Sequence, residues 1–424
     1  MIHAVGSPRG TAMATTAAAP QPALGWRTPT LIVACGCLMA ILGFGPRSVF
    51  GFFLQPMTQE LGFGRDVFGL AVAIQNLLWG AALPFVGAIA DRYGSLRVLA
   101  VGGVIYAAGL ALMAYSTTPG MLYLSAGVLV GFGLAGASFT LVLAAFGKLL
   151  PESMRTFAFG AGTAAGSFGQ FLFSPLAVAL LNSIGWHQTL LVFAVLVLLV
   201  VPLAFVVATP AMDMSVGAVR KQSFREALGE AFGHQSYVLL VLGFFTCGFH
   251  IAFITVHLPP YLVDRGLDIS WGGWVLAFIG LFNIFGAISA GLLGSRFPKR
   301  YLLSTIYLLR AIAIAAFVLA PMSPASAMIF GAAMGVLWLS TVPLTSALVA
   351  LMFGTRFMAT LFGFVFFSHQ VGAFIGVWLG GFLYERTGSY DVVWWLGVAL
   401  GIFAALVNLP IRERPVERLA AAPA

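Results

Sequence analysis

The chain has 424 residues, 60% of them hydrophobic and only 8% charged, with a mean hydropathy of +1.01. That balance excludes a water-soluble domain of this length, and the soluble enzyme classes with it. The net charge of +8 reads as a signal for membrane topology and lipid-headgroup contact, and nucleic acid is not called for as a partner.

Residues 1–27, rich in Ala, Pro and Thr, have no long apolar core and read as a disordered tail, not as a cleaved signal peptide. At about 20 apolar residues per bilayer crossing, the rest predicts an all-α integral membrane protein with twelve transmembrane helices. They fall near 29–54, 68–90, 98–116, 119–146, 157–181, 188–208, 236–258, 272–294, 301–319, 325–351, 359–383 and 392–411. The polar stretch 209–235, holding Arg220, Lys221 and Arg225, divides them into a six-helix bundle over 28–208 and a second over 236–412, and 413–424 is a further tail. The three cysteines, Cys35, Cys37 and Cys247, all lie in apolar segments, so neither a disulfide framework nor a spaced zinc site is expected, and no metal or cofactor is predicted.

The first predicted helix carries the strongest functional signal. Arg47 sits near its middle, preceded by Gly43-Phe44-Gly45-Pro46 and followed by Gly51. A charge at mid-bilayer costs roughly 2.5 to 3.5 kcal/mol on insertion scales, and such residues face a water-filled cavity or a partner. The Gly and Pro residues loosen the helix at that point and free backbone groups, as at transporter binding sites. All 13 Asp and Glu fall in predicted loops, tails or helix margins, so no carboxylate is placed to pair with Arg47 at mid-membrane. Either carbonyls and water solvate the guanidinium, or a bound anion completes the site. The second intramembrane arginine, Arg310, reads as structural, snorkelling or hydrogen-bonding between helices, with a role in the site as the alternative.

The other Lys and Arg residues set the orientation. With both termini cytoplasmic, only Arg65, Arg265 and Arg386 lie on the opposite side, which fits the positive-inside rule for a cell inner membrane.

After the second helix comes Gly87-Ala-Ile-Ala-Asp91-Arg92-Tyr-Gly94-Ser-Leu-Arg97, and 204 positions later Gly291-Leu-Leu-Gly-Ser295-Arg296-Phe-Pro298-Lys299-Arg300 follows the eighth. The first stretch resembles the G-x-x-x-D-R-x-G-x-x-R loop of the major facilitator superfamily, at the same place between helices two and three. Gly87, Asp91, Arg92, Gly94 and Arg97 then form a charge-paired gating latch. In the second copy Ser295 replaces the acid and Pro298 the glycine, so that latch is expected to be weaker.

A shift of 203 aligns Phe44-Gly45-Pro46-Arg47 with Cys247-Gly248-Phe249-His250, making Arg47 and His250 pseudo-symmetry mates. The resemblance implies that both face a central substrate path. It also implies that helices four, five, ten and eleven line the path, with Ser138, Gln170, Trp338, Thr341, Ser368, His369 and Gln370 as further contacts. In the absence of a mid-membrane carboxylate, His250 and then His369 are the titrating candidates for proton coupling, with His257 third.

Within the superfamily the segment Gly45 to Leu54 looks most like the monocarboxylate-carrier and oxalate/formate-exchanger branches. Those branches commonly carry a substrate-binding arginine on helix eight, where this chain offers Asn283 and Ser289. The implied function is secondary active transport of a small organic anion, a monocarboxylate, by alternating access with proton symport or exchange. A carrier or exporter of a neutral or aromatic metabolite is the alternative. A monomer among membrane lipids is expected.

Overall fold

The computed structural model describes residues 26–211, 224–354 and 358–416. Arg220 and Lys221 of the predicted linker lie outside them, as do both extreme tails. Among the described residues every regular element is helical. Eleven apolar runs are long enough to cross a membrane, and the run Ser153–Val206 covers 54 residues. At 1.5 Å per residue that is about 80 Å of helix, more than twice a bilayer core. It is broken at Gly185, whose φ of 76° and ψ of 174° lie outside helical geometry. A side chain is strained at positive φ, so glycine suits this turn. The run therefore supplies the fifth and sixth crossings, and the described residues make twelve.

The second crossing is Arg65–Tyr93, the third Ser95–Ala114, the seventh Gln235–Asp264 and the eighth Ile269–Gly294. Lys299–Leu319 is the ninth, Met358–Thr387 the eleventh and Asp391–Asn408 the twelfth. Three others are interrupted. The first is Pro29–Phe44 and Gly51–Leu61 joined by a 3-10 turn at Arg47–Val49. Pro46 lacks an N–H and cannot continue the ladder, and the chain turns through Ser48, whose N–H and Oγ both donate to the Gly45 carbonyl, at 3.1 and 2.6 Å. The fourth ends one helix at Gly136 and starts Phe139–Leu149 after Ser138, and the tenth is Pro324–Leu337 followed by Thr341–Phe353. The fourth and tenth breaks occupy corresponding places in the two halves.

Both halves bring their chain ends to one end of the bundle, here termed the terminal end. Arg27 donates to the carbonyls of Val206 and Ala208 at 2.7 Å each, and the Arg412 N–H donates to Ser236 Oγ at 3.0 Å. The linker, read from sequence as an irregular polar stretch, contains a helix at Phe224–Gly233. Its Ala227 and Ala231 are buried, so its small residues give it a packing face. The start of the predicted second tail is also held, by Val416 N–H donating to Met352 O at 2.9 Å.

The halves are zipped together from the opposite, distal end as far as mid-depth. The second crossing packs on the eleventh, and the fifth on the eighth. A Cβ on Gly69 would meet Val377 O at 3.0 Å, and one on Gly80 would meet the Gln370 side chain at 2.6 Å. On the other seam, a Cβ on Gly280 would meet Ser167 O at 2.8 Å. There Gln170 Nε2 donates to Leu276 O at 3.3 Å, and Asn283 Nδ2 to Ser167 Oγ at 2.8 Å. Residues seven apart share a helix face and lie about 10 Å apart along it. Moving toward the terminal end by that step from Gly80, Gln370 and Ser167 leads to Gly87, Gly363 and Gly160, and none would bring a Cβ within 4 Å of another atom. The seams part there, leaving a cleft open at the terminal end.

Candidate functional site

At the closed base of this cleft lies Arg47, presented by the interruption of the first crossing. Its Nη2 donates to Asn76 Oδ1 on the second crossing, and Asn76 Nδ2 is anchored to Val72 O at 2.8 Å. The guanidinium carbon stands 4.6 Å from the Trp79 ring centroid and 5.8 Å from that of Phe44. Cation–π contacts of this kind stabilise by about 0.5 to 2 kcal/mol, more where water is displaced.

Trp79 carries the contact across to the other half. Its ring meets Phe366 of the eleventh crossing edge-on at 5.4 Å. Phe366 lies parallel to His369 at 5.5 Å, and His369 also touches Phe244 of the seventh. His369 Nδ1 donates to Gln370 Oε1 at 3.3 Å. The result is one belt from Arg47 through Trp79, Phe366 and His369 to Gln370, drawn from both halves. Three polar atoms of this belt, Arg47 Nε, Trp79 Nε1 and Gln370 Nε2, are buried without a hydrogen-bond partner, and all three are N–H donors. Among the described residues no carboxylate forms an ion pair with Arg47.

Of the residues selected from sequence, the structure brings Arg47, His369 and Gln370 together. The others are engaged elsewhere. His250 is 1% exposed, and its Nε2 donates to Gly397 O of the twelfth crossing at 2.7 Å. Ser138 caps the second half of the fourth crossing by accepting from Leu141 N. Gln170 bonds across the seam, and Ser368 Oγ donates to Val241 O at 2.8 Å. Thr341 Oγ1 is 3.4 Å from Cys247 Sγ, and Trp338 is buried beside the break in the tenth crossing. Asn76 and Trp79 were missed. Their signal was a cluster of polar-tipped residues, Gln75, Asn76 and Trp79, inside an otherwise apolar helix.

Arg310 serves that break. It is fully buried, and its Nε and Nη2 donate to Leu337 O at 3.0 and 2.6 Å, with Nη2 also reaching Trp338 O. The Leu339 N–H donates to Asn283 Oδ1 at 2.9 Å. A helix break inside a bilayer needs such partners, because no water is there to satisfy the freed groups. Replacing Arg310 with Met is expected to lower stability by roughly 3 kcal/mol, from lost charge-assisted bonds to buried carbonyls, and thermal unfolding of the purified protein in detergent would measure it.

The predicted gating residues occupy the turn between the second and third crossings. Gly87 and Arg92 lie on the last turns of Arg65–Tyr93, Gly94 has a φ of 89°, and Arg97 opens Ser95–Ala114. Arg92 and Arg97 are exposed. The Asp91 side chain lies outside the described part of the structure. At the distal end the structure shows charge pairing between the halves that the sequence did not reveal. Arg65 donates to both Asp264 oxygens at 2.6 and 2.8 Å and to Tyr390 Oη at 2.9 Å, while its backbone N–H donates to Glu385 Oε1 at 2.6 Å.

The Major Facilitator Superfamily family model matches residues 36–376 and 273–424. The chain is 26% identical over 377 residues to the uncharacterized MFS-type transporter YcxA of Bacillus subtilis (strain 168), covering 87% of this chain and 91% of the relative. It is 25% identical over 404 residues to monocarboxylate transporter 13 of Rattus norvegicus, covering 92% and 90%. A D-xylose-proton symporter superposes with a TM-score of 0.74 at 17% identity, covering 91% of this chain and 98% of that one. A bacterial homolog of the human lysosomal transporter Spinster, in an inward-facing and unoccupied conformation, gives 0.71 at 17% identity, covering 90% and 95%. Twelve crossings in two zipped halves, an arginine at the base of a cleft, and these matches agree: the chain belongs to the Major Facilitator Superfamily, as a multi-pass membrane transporter.

Proposed function

We propose that this protein carries a small organic monocarboxylate across the cell inner membrane by alternating access, with Arg47 as the group that holds the carboxylate. The supporting observation is the belt at the base of the cleft, whose three unpartnered buried atoms are all N–H donors. Such a set is matched by an acceptor-only ligand. The guanidinium gives one Nη2 hydrogen to Asn76, and its second Nη2 hydrogen, paired with the neighbouring N–H on that edge, can make two parallel bonds to one carboxylate. A single arginine compensates one negative charge, which favours a monoanion over a dianion. The aromatic faces of Trp79 and Phe366 suit an apolar body attached to the carboxylate.

The excess of Lys and Arg at the terminal end makes that end cytoplasmic, so the cleft is inward-open. In the cycle the two halves rock, the distal seam parts and the terminal seam closes.

The test is thermal stabilisation of the purified protein by a panel of monocarboxylates, dicarboxylates, aromatic acids and neutral vitamins. A ligand at 100 times its Kd stabilises by about 2.7 kcal/mol. One carboxylate series is expected to raise the unfolding temperature in the wild type and not in Arg47→Gln. Stabilisation by neutral compounds alone would move the reading to a neutral-metabolite carrier.

A further inference from the structure

Beneath the distal charge cluster lies His257 of the seventh crossing, fully buried. Its Nε2 is 2.8 Å from Val377 O of the eleventh crossing. A carbonyl only accepts, so Nε2 carries the hydrogen and Nδ1 is the bare lone pair. Nδ1 faces Tyr390 Oη of the twelfth crossing at 3.4 Å, and the phenol O–H is therefore the donor. The same oxygen accepts from Arg65 Nη1 of the second crossing at 2.9 Å. The chain of donors thus has one direction throughout: Arg65 to Tyr390, Tyr390 to His257, His257 to Val377. Arg65 is the only one of these groups from the N-terminal half.

We propose that His257 is a proton-binding site that the closed distal gate excludes, so that a proton arriving from the distal side holds the gate open. A protonated imidazole has two N–H groups and no lone pair. Nδ1 would then donate to Tyr390 Oη, which already accepts from Arg65, and the phenol hydrogen would lose its acceptor. Two cations would also share one buried oxygen in a medium of low polarity. Separating the halves removes Arg65 from this arrangement and admits water. Proton affinity at His257 is accordingly higher in the distally open state, and by linkage acid on that side favours opening.

Other titratable groups surround the site. Tyr261 and Asp264 lie on the same helix, Arg65 on the second crossing, Tyr384 and Glu385 on the eleventh, and Tyr390 and Asp391 on the twelfth. Asp391 pairs with Arg265 at 3.4 Å. Asp264 and Glu385 also accept from Arg65, so the carboxylates of the gate are tested separately from His257.

The inference rests on the carrier reading and not on the identity of its substrate. The experiment uses the full chain in lipid nanodiscs, without substrate, with Cys35, Cys37 and Cys247 replaced by Ser. Spin labels at Gln59→Cys and Arg386→Cys, one on each half at the distal end, report the separation. Between about pH 8 and 5 the open population is expected to rise at least about tenfold, with a midpoint in the imidazole range. His257→Gln should abolish that midpoint, while Asp264→Asn should keep it. A second variant, Tyr390→Phe, leaves His257 in place and should diminish the transition if His257→Gln fails to fold. A pH-invariant distance in the parent, or an unchanged midpoint in His257→Gln or Tyr390→Phe, would overturn the proposal. A pH-dependent gate in a protein that shows no solute flux would instead count against the carrier reading alone.

Discussion

Arg47→Gln is expected to reduce transport of the organic anion by about 100-fold or more while the protein inserts and folds normally. Truncating one partner of a buried, hydrogen-bonded charge pair costs about 2 to 5 kcal/mol, or some 30-fold to several thousand-fold in affinity. Gln adds no bulk and keeps a polar amide near the position of Nε, so the local packing survives the change even though the Nη2 bond to Asn76 Oδ1 is lost. What disappears is the charge and the fork of donors left over after Asn76 is satisfied. Arg47→Lys separates these two properties. It restores charge without the planar fork and should recover part of the activity. Counterflow of labelled solute in proteoliposomes is the measurement, and unchanged counterflow in Arg47→Gln would remove Arg47 from the site.

The second large effect concerns Gly381, where the eleventh crossing touches the start of the second. A Cβ here would lie 2.4 Å from the Arg65 carbonyl oxygen and 2.9 Å from the Asp66 Cα. Both are backbone atoms of the opposite half and cannot turn aside. Gly381→Ala should therefore prop the distal seam apart and trap the carrier open on that side. Solute exchange is expected to fall to background, and the label separation at the distal end should increase without acid. The contact lies between bundles, so neither bundle is prevented from folding. Gly248→Ala supplies the contrast, because its Cβ would sit 1.7 Å from His369 O within the C-terminal bundle. That variant should fail to accumulate as folded protein. If Gly381→Ala exchanged solute at the wild-type rate, the seam would have to close without this contact.

The twelve crossings were legible because apolar length is the dominant constraint on a spanning helix. Even the merged fifth and sixth crossings separate at the place where hydropathy falls, at Gly185. The break in the first crossing was legible too, since Gly45-Pro46 removes a donor in mid-helix. The direction of a side chain was harder to read. A shift of 203 places His250 opposite Arg47 along the chain, but the seventh crossing runs unbroken from Gln235 to Asp264 while the first is interrupted at Arg47. The two backbones therefore aim their side chains differently, and His250 meets Gly397. Asn76 and Trp79 escaped for another reason: a polar group in an apolar helix does not reveal its partner until the helices are placed. Arg65 and Asp264, far apart in sequence, looked like separate helix-end charges. The open conformation itself was not legible, because two states of a carrier differ by only a few kcal/mol.

Among the described residues no carboxylate pairs with Arg47, so its charge stays uncompensated in the empty carrier. On the proposed orientation the cleft opens to the cytoplasm, so water brings the cytoplasmic potential to the guanidinium, and the sealed distal seam carries most of the voltage drop. Reorienting the empty carrier then moves one positive charge through the membrane field, at roughly 2.3 kcal/mol per 100 mV. The proposed monoanion, once bound, cancels that charge. The loaded carrier turns over without sensing voltage, whereas the empty one is held facing the cytoplasm by a negative interior, so the resting potential governs the return step.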